Sequence, residues 1–197
     1  MQGRKKLKFI GLGFMILGVC LLAYGGWVDH QANVREESVR VHTQEVQQIL
    51  KQEVIPEEPV KTPGVVALQS VEIEGRSYIG LLDIPALSLS LPVEKDLSYP
   101  ALNSNVCRYV GSCSQQNMII AGHNYACHFG SLKKLQAGDT VIFTDVLGVA
   151  HTYHVAEIEI LEETAVDELP WDQPGLTMFT CTPGGLKRVV VRCSPEA

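Results

Sequence analysis

The sequence predicts an all-β domain, a closed barrel or a sandwich, set behind an apolar N-terminal helix and a stalk. Three observations predict it. An uncharged run from Phe9 to Val28 follows a basic tail. A proline-rich stretch, "IPEEPVKTPG", then breaks any helix. From about Val71 onward, short β-branched runs alternate with turn residues. Apolar residues make up 46% of the 197 and charged residues 19%, which fits a globular domain plus a membrane segment and excludes a disordered chain.

The N-terminal elements come first. Arg4, Lys5, Lys6 and Lys8 precede "FIGLGFMILGVCLLAYGGWV". Such a run, as a helix, spans about 30 Å, the thickness of a bilayer's hydrocarbon core. It is longer than a signal-peptide core, Ala23-Tyr24-Gly25 is a poor cleavage site, and Trp27 suits the membrane interface. The expectation is a cytoplasmic basic tail (1–8), a single-pass transmembrane anchor (9–28), an extracellular stalk and linker (29–70) and an extracellular domain (71–197). Within the stalk, Val34, Val41, Val46, Ile49 and Leu50 make a weakly amphipathic helix that reads as a spacer. Without the four N-terminal bases, the remainder holds 12 basic against 22 acidic residues, a net charge of −10. Such a surface excludes nucleic acid as a partner, because phosphate contacts need a basic face.

In the C-terminal domain, "SYIGLLDIP", "LSLSLPV", "NMIIAG", "DTVIFTD", "HTYHVAEIEIL", "LTMFTC" and "KRVVVRC" read as strands. "AVDELPWDQPG" reads as a long loop with one helical turn. This many strands in one short domain give a single barrel or sandwich.

One hairpin carries chemistry. In "TMFTCTPGGLKRVVVRC" the turn falls on Gly184-Gly185, a two-residue loop that needs positive φ. Pro183 is then opposite Leu186, Thr182 opposite Lys187 and Cys181 opposite Arg188. Directly opposed residues share a face, so the Arg188 guanidinium can lie over the Cys181 thiol. A cation there favours thiolate, and its N–H donors can stabilise an oxyanion. Arg192 shares that face two pairs further on. The bland reading is a strand cysteine opposite a surface arginine.

A nucleophilic cysteine needs a base. Of six histidines, His30 and His42 fall in the stalk. His151 and His154 lie three apart in a strand, on opposite faces, which is poor spacing for a shared metal site. Cys127-His128 is one adjacent pair, weak evidence for zinc. His123 ends the apolar strand "NMIIAGHNY", beside a glycine that permits close approach. It reads as the base or as a structural histidine. Six cysteines are present; five lie beyond the apolar run, so one stays unpaired within the chain. Cys107 with Cys113, or Cys107 with Cys193, are the candidate pairs.

Taken together, residues 75–193 resemble the sortase family, the cysteine transpeptidases of Gram-positive cell surfaces. "IGLLDIPALSLSLPV" is similar to the family's opening strands. "MIIAGHNY" is similar to the strand ending in the catalytic histidine. "TMFTC" followed by an arginine is similar to the Thr-Leu-x-Thr-Cys signature, with Met178 in place of the usual leucine. The order His, Cys, Arg and the N-terminal anchor also fit.

The resemblance implies a closed eight-stranded β-barrel with short helices in its loops. It implies Cys181 as nucleophile, His123 as general acid/base and Arg188 as stabiliser of the oxyanion or substrate. Thr180, Met178 and Trp171 become candidate substrate contacts, and the 162–176 loop a wall of the groove. The implied reaction cleaves an LPxTG-like sorting signal at its Thr-Gly bond and passes the thioacyl intermediate to an amine. Implied partners are sorting-signal-bearing surface proteins and an amine acceptor, either a cell-wall precursor or a pilin-like lysine. No cofactor or metal is expected. Glu162 and Glu163 read as solvated acids rather than a calcium site. The rival readings are another extracellular cysteine peptidase or hydrolase, and a surface binding module with an inert Cys181. A papain-like enzyme would place its cysteine before its histidine, the reverse of this order.

Overall fold

A computed structural model describes residues 15–27, 30, 34, 37, 39–41, 43–48, 68–166 and 174–196. The expected basic tail, the proline-rich linker and Trp171 lie outside the described residues. The chain divides into two compact units, Met1–Ser38 and Val39–Ala197. In the first, residues 15–27 are helical with exposed side chains, and the remainder of the expected 9–28 span lies outside the described residues. No helix among the described residues is long and apolar enough to cross a membrane.

The second unit is a barrel. Its strands are β1 (Val71–Ile73), β2 (Arg76–Ile84), β3 (Leu89–Glu94), β4 (Val106–Val110), β5 (Asn117–Ala121), β6 (Thr140–Asp145), β7 (Ala150–Glu162), β8 (Gly175–Cys181) and β9 (Lys187–Pro195). A short helix, α1 (Tyr99–Ser104), joins β3 to β4; Ser98 caps it by accepting from the Ala101 amide. The hydrogen-bonded order is β1-β2-β3-β4-β5-β8-β9-β7-β6, and β6 also pairs with β2. That last pairing closes β2–β9 into an eight-stranded ring, with β1 appended as a hairpin on β2.

The closure depends on Gly80. Its φ is +156°, and a Cβ there would collide with the Thr144 carbonyl of the crossing strand. A register shift between Tyr78 and Gly80 puts Tyr78 and Leu81 on the outer side of β2, while Ile79, Leu82 and Ile84 point into the core. This is why "YIGLL" is apolar throughout: both of its faces are buried.

The outer face of β2 is covered by Val46, with Val71 and Ile73 of β1 packed alongside. Val39 enters the main core, and the Thr43 hydroxyl donates to the Ser90 carbonyl at 3.0 Å. Val39, Thr43 and Val46, which fall in the expected stalk, are thus docked on the barrel. Of the apolar positions expected to form a stripe, Val46 is buried against β2, Val34 and Val41 are exposed, and Ile49 and Leu50 lie outside the described residues.

Inside, the strands alternate as period two demands. Met118 and Ile120 of β5, Leu176 and Met178 of β8, and Val189, Val191 and Cys193 of β9 fill the core with Phe129, Phe143, Tyr153 and Val155. At one rim a buried polar cluster ties β2, β3 and α1 together. The Arg76 guanidinium donates to Glu94 at 2.8 Å, and the Asn105 side-chain amide donates to the same carboxylate oxygen at 2.6 Å.

Candidate active site

β8 sets the alternation at the candidate nucleophile. Leu176, Met178 and Thr180 face inward and are buried, whereas Thr177, Phe179 and Cys181 are half-buried on the outer face. β9 returns antiparallel, and Cys181 is the direct partner of Arg188. The connecting loop differs from expectation. The Gly185 amide donates to the Thr182 carbonyl at 2.8 Å, so Pro183 and Gly184 are the central residues of a β-turn. Gly184 has φ +89°, as a type II turn requires, and Pro183 is preset for the position before it. The loop is thus Pro183–Leu186, not Gly184-Gly185. Proline has no N–H to give the ladder, so it enters the turn instead. The pairing closes through the Thr182 amide to the Lys187 carbonyl at 2.8 Å, which leaves Cys181 opposite Arg188.

The Arg188 guanidinium is tethered. It donates to the Gly185 carbonyl and to Glu163 Oε1, each at 2.8 Å. Glu163 opens the 3-10 turn Glu163–Val166 that follows β7, so the arginine joins the hairpin to the root of the next loop. Glu162 pairs with Lys187 at 2.7 Å. Arg192 sits opposite Thr177 and donates to Glu159 at 2.9 Å, which removes it from the cysteine.

His123 arrives by a parallel pairing. β5 runs beside β8 with Ala121 level with Phe179, and the Gly122 amide donates to the Phe179 carbonyl at 3.1 Å. His123 follows two residues after Ala121, as Cys181 follows two residues after Phe179. Gly122 is needed because a Cβ there would strike the Phe129 ring. The chain then folds back: the Phe129 amide donates to the His123 carbonyl at 3.1 Å, and the His123 and Tyr125 rings lie 4.9 Å apart. The neighbouring His128 is fully buried, with Nε2 against the Ser104 carbonyl at 3.1 Å.

A shallow opening lies against Cys181, lined by Thr180, Pro183, Asn124 and Lys133 among others. Asn124 and Lys133 escaped sequence reasoning. Only the fold-back at Phe129 brings Lys133 near a cysteine 48 positions away, and no local pattern announces it. Thr180 Oγ1 is buried and has no hydrogen-bond partner among the described residues. Met178, expected at the substrate, is instead sealed in the barrel core at 0% exposure, because it lies on the face opposite Cys181. On the Cys181 side, Ile119 and Val190 form an apolar strip with Tyr109, Val110, Leu161 and Phe179.

None of the six cysteines is disulfide-bonded, so neither candidate pair from Cys107 is formed. Burial, aided by Glu94, pushes the Cys107 thiol up to about 12. Burial alone pushes Cys193 up to about 12. Both are structural thiols in the core.

The match to a family model for the sortase domain covers residues 82–196. With the barrel and the order of its histidine, cysteine and arginine, this shows that the chain belongs to the sortase family. Solved structures agree. Sortase C1 from Streptococcus suis is 26% identical with a TM-score of 0.53, over 61% of this chain and 73% of that one. A Clostridium perfringens sortase D5 transpeptidase is 20% identical with a TM-score of 0.58, over 84% and 99%. Clostridium perfringens sortase C, solved with the C-terminal cell wall sorting motif, is 18% identical with a TM-score of 0.55, over 82% and 89%. No curated protein is matched by sequence.

Proposed function

We propose that this chain is a membrane-anchored cysteine transpeptidase, with its barrel outside the cell, that cuts an LPxTG-like sorting signal and transfers the acyl part to an amine. The observation that carries the reading is the direct cross-strand pair of Cys181 and Arg188, with the His123 strand end in register beside it. The Cys181 thiolate attacks the Thr-Gly carbonyl. The developing oxyanion draws on Arg188, whose planar donor fork can turn from Glu163. His123 protonates the departing glycine amine, leaving a thioester. The acceptor amine then attacks, His123 takes its proton, and the thiolate departs. The apolar strip from Ile119 to Phe179 supports a signal whose Leu-Pro residues precede the cut bond. Thr180 lines the opening beside Cys181, and its buried hydroxyl, with no partner among the described residues, supports a polar role next to the nucleophile.

The test uses the full chain in detergent, wild type and Cys181→Ala, with a panel of LPxTG-like peptides and an amine acceptor, read by mass spectrometry. A Cys181-dependent, amine-ligated product is expected. Hydrolysis alone at saturating amine would overturn transfer, and turnover by Cys181→Ala would overturn the nucleophile.

A further inference from the structure

A second cluster of reactive side chains stands apart from Cys181. Cys113, Asp145 and His151 are each half-buried, and one ligand atom from each lies within 4.8 Å of the others. His151 Nε2 is 3.2 Å from Asp145 Oδ2. The three come from different parts of the fold. Cys113 belongs to the loop before β5, Asp145 ends β6, and His151 is near the start of β7. That loop lies at the opposite end of β5 from His123, so the cluster is separate from the candidate active site.

Each member is held in place. The Cys113 loop is fixed by the Ser112 amide donating to Asn117 Oδ1 at 3.2 Å and the Gln115 amide donating to Ser112 Oγ at 3.2 Å. Asp145 uses its other oxygen, Oδ1, to accept from the Leu147 and Val149 amides, each at 3.0 Å. This leaves Oδ2 facing the cluster. His151 is locked in the ladder opposite Phe143. The positions are therefore set by backbone, with only short side-chain rotations between them.

We propose that Cys113, Asp145 and His151 form a site for a borderline-soft divalent cation of the Zn²⁺ type, with the fourth position open to water or another ligand. The donor set argues for that class: thiolate and imidazole favour zinc-like ions over calcium or magnesium, which prefer oxygen. The geometry argues for it too. In a tetrahedral site with bonds of about 2.0–2.3 Å, donors stand about 3.5 Å apart. The His151–Asp145 separation already approaches that spacing. On binding, the Cys113 thiol releases its proton to solvent and the sulfur joins the metal. The ion would clamp the β4–β5 loop to the β6–β7 hairpin.

Co²⁺ is the probe, because a thiolate ligand gives it a near-ultraviolet charge-transfer band and a tetrahedral field gives visible d–d bands. The full chain in detergent is titrated as wild type, Cys113→Ser, His151→Ala and Cys181→Ala, each checked for fold by circular dichroism. The expected result is one Co²⁺ per chain, displaced by Zn²⁺, with the charge-transfer band lost in Cys113→Ser and kept in Cys181→Ala. Zn²⁺ should also raise the melting temperature of the wild type and leave that of Cys113→Ser unmoved. Absence of the band in folded wild type would overturn the site. So would a band that survives Cys113→Ser and vanishes with Cys181→Ala.

Discussion

At the residue scale, opposite environments separate the cysteines. Cys181 is half-buried on the outer face, while Cys193 is enclosed in the barrel core and Cys107 is buried beside Glu94 and Arg76. A thiol alkylating agent at mildly alkaline pH should therefore modify Cys181 in the native chain and reach Cys107 and Cys193 only after denaturation, as peptide mapping will show. Arg188→Ala should lower kcat about 100-fold, the scale of losing one oxyanion donor, while leaving the melting temperature nearly unchanged; steady-state kinetics and calorimetry check both. The cysteine–arginine pair was legible because it depends only on counting residues across a short hairpin. Cys113 beside His151 was not. Two histidines three apart are poor spacing for one metal, and His154 is not part of the cluster around His151. The neighbours of His151, Cys113 and Asp145, come from a loop and another strand, where spacing along the chain carries no signal.

At the scale of elements, the β8–β9 hairpin shows why a small misreading of a turn did no harm. Moving the turn onto Pro183-Gly184 lengthens the loop symmetrically and leaves every rung below it in place. The 39–48 segment was half legible. Val46 of its expected apolar stripe does pack inward, but Val41 is exposed and the buried Val39 was not part of the pattern, because what the segment packs against is set by the fold. Val46→Asp would place a charge against Tyr78 and Leu81 and should lower the melting temperature by several degrees, measured on the full chain. Gly80→Ala is expected to cost about 3 kcal/mol in urea titrations, through collision and strained backbone at the closing strand pair.

For the molecule as a whole, two buried thiols make stability fall at high pH. Cys107 and Cys193 titrate at about 12 in the folded chain. In the unfolded chain a thiol releases its proton near 9, so above that pH the unfolded state binds fewer protons than the folded one. Stability is then fully present below about pH 9 and falls as pH climbs toward 12, by about 2 kcal/mol per thiol at about pH 10.5. Denaturant titrations across that range will show the decline, and Cys193→Val should make it shallower. The all-β character was legible at this scale, since many short alternating strands in a small domain leave few other solutions; the strands alone left barrel and sandwich open, and closure came only with the family resemblance. The order of strands around the ring was not, because pairings such as β5 with β8 join segments far apart in sequence. That ring also governs how the molecule meets its own copies. An open sheet ends in a row of unpaired amides that can capture a strand from a neighbour. Here that row is consumed internally by the β2–β6 pairing, and the one appended strand, β1, is three residues long and carries Glu72. Crowded copies of this barrel therefore have little strand edge to offer one another, and the fold resists sheet-to-sheet aggregation through its connectivity alone.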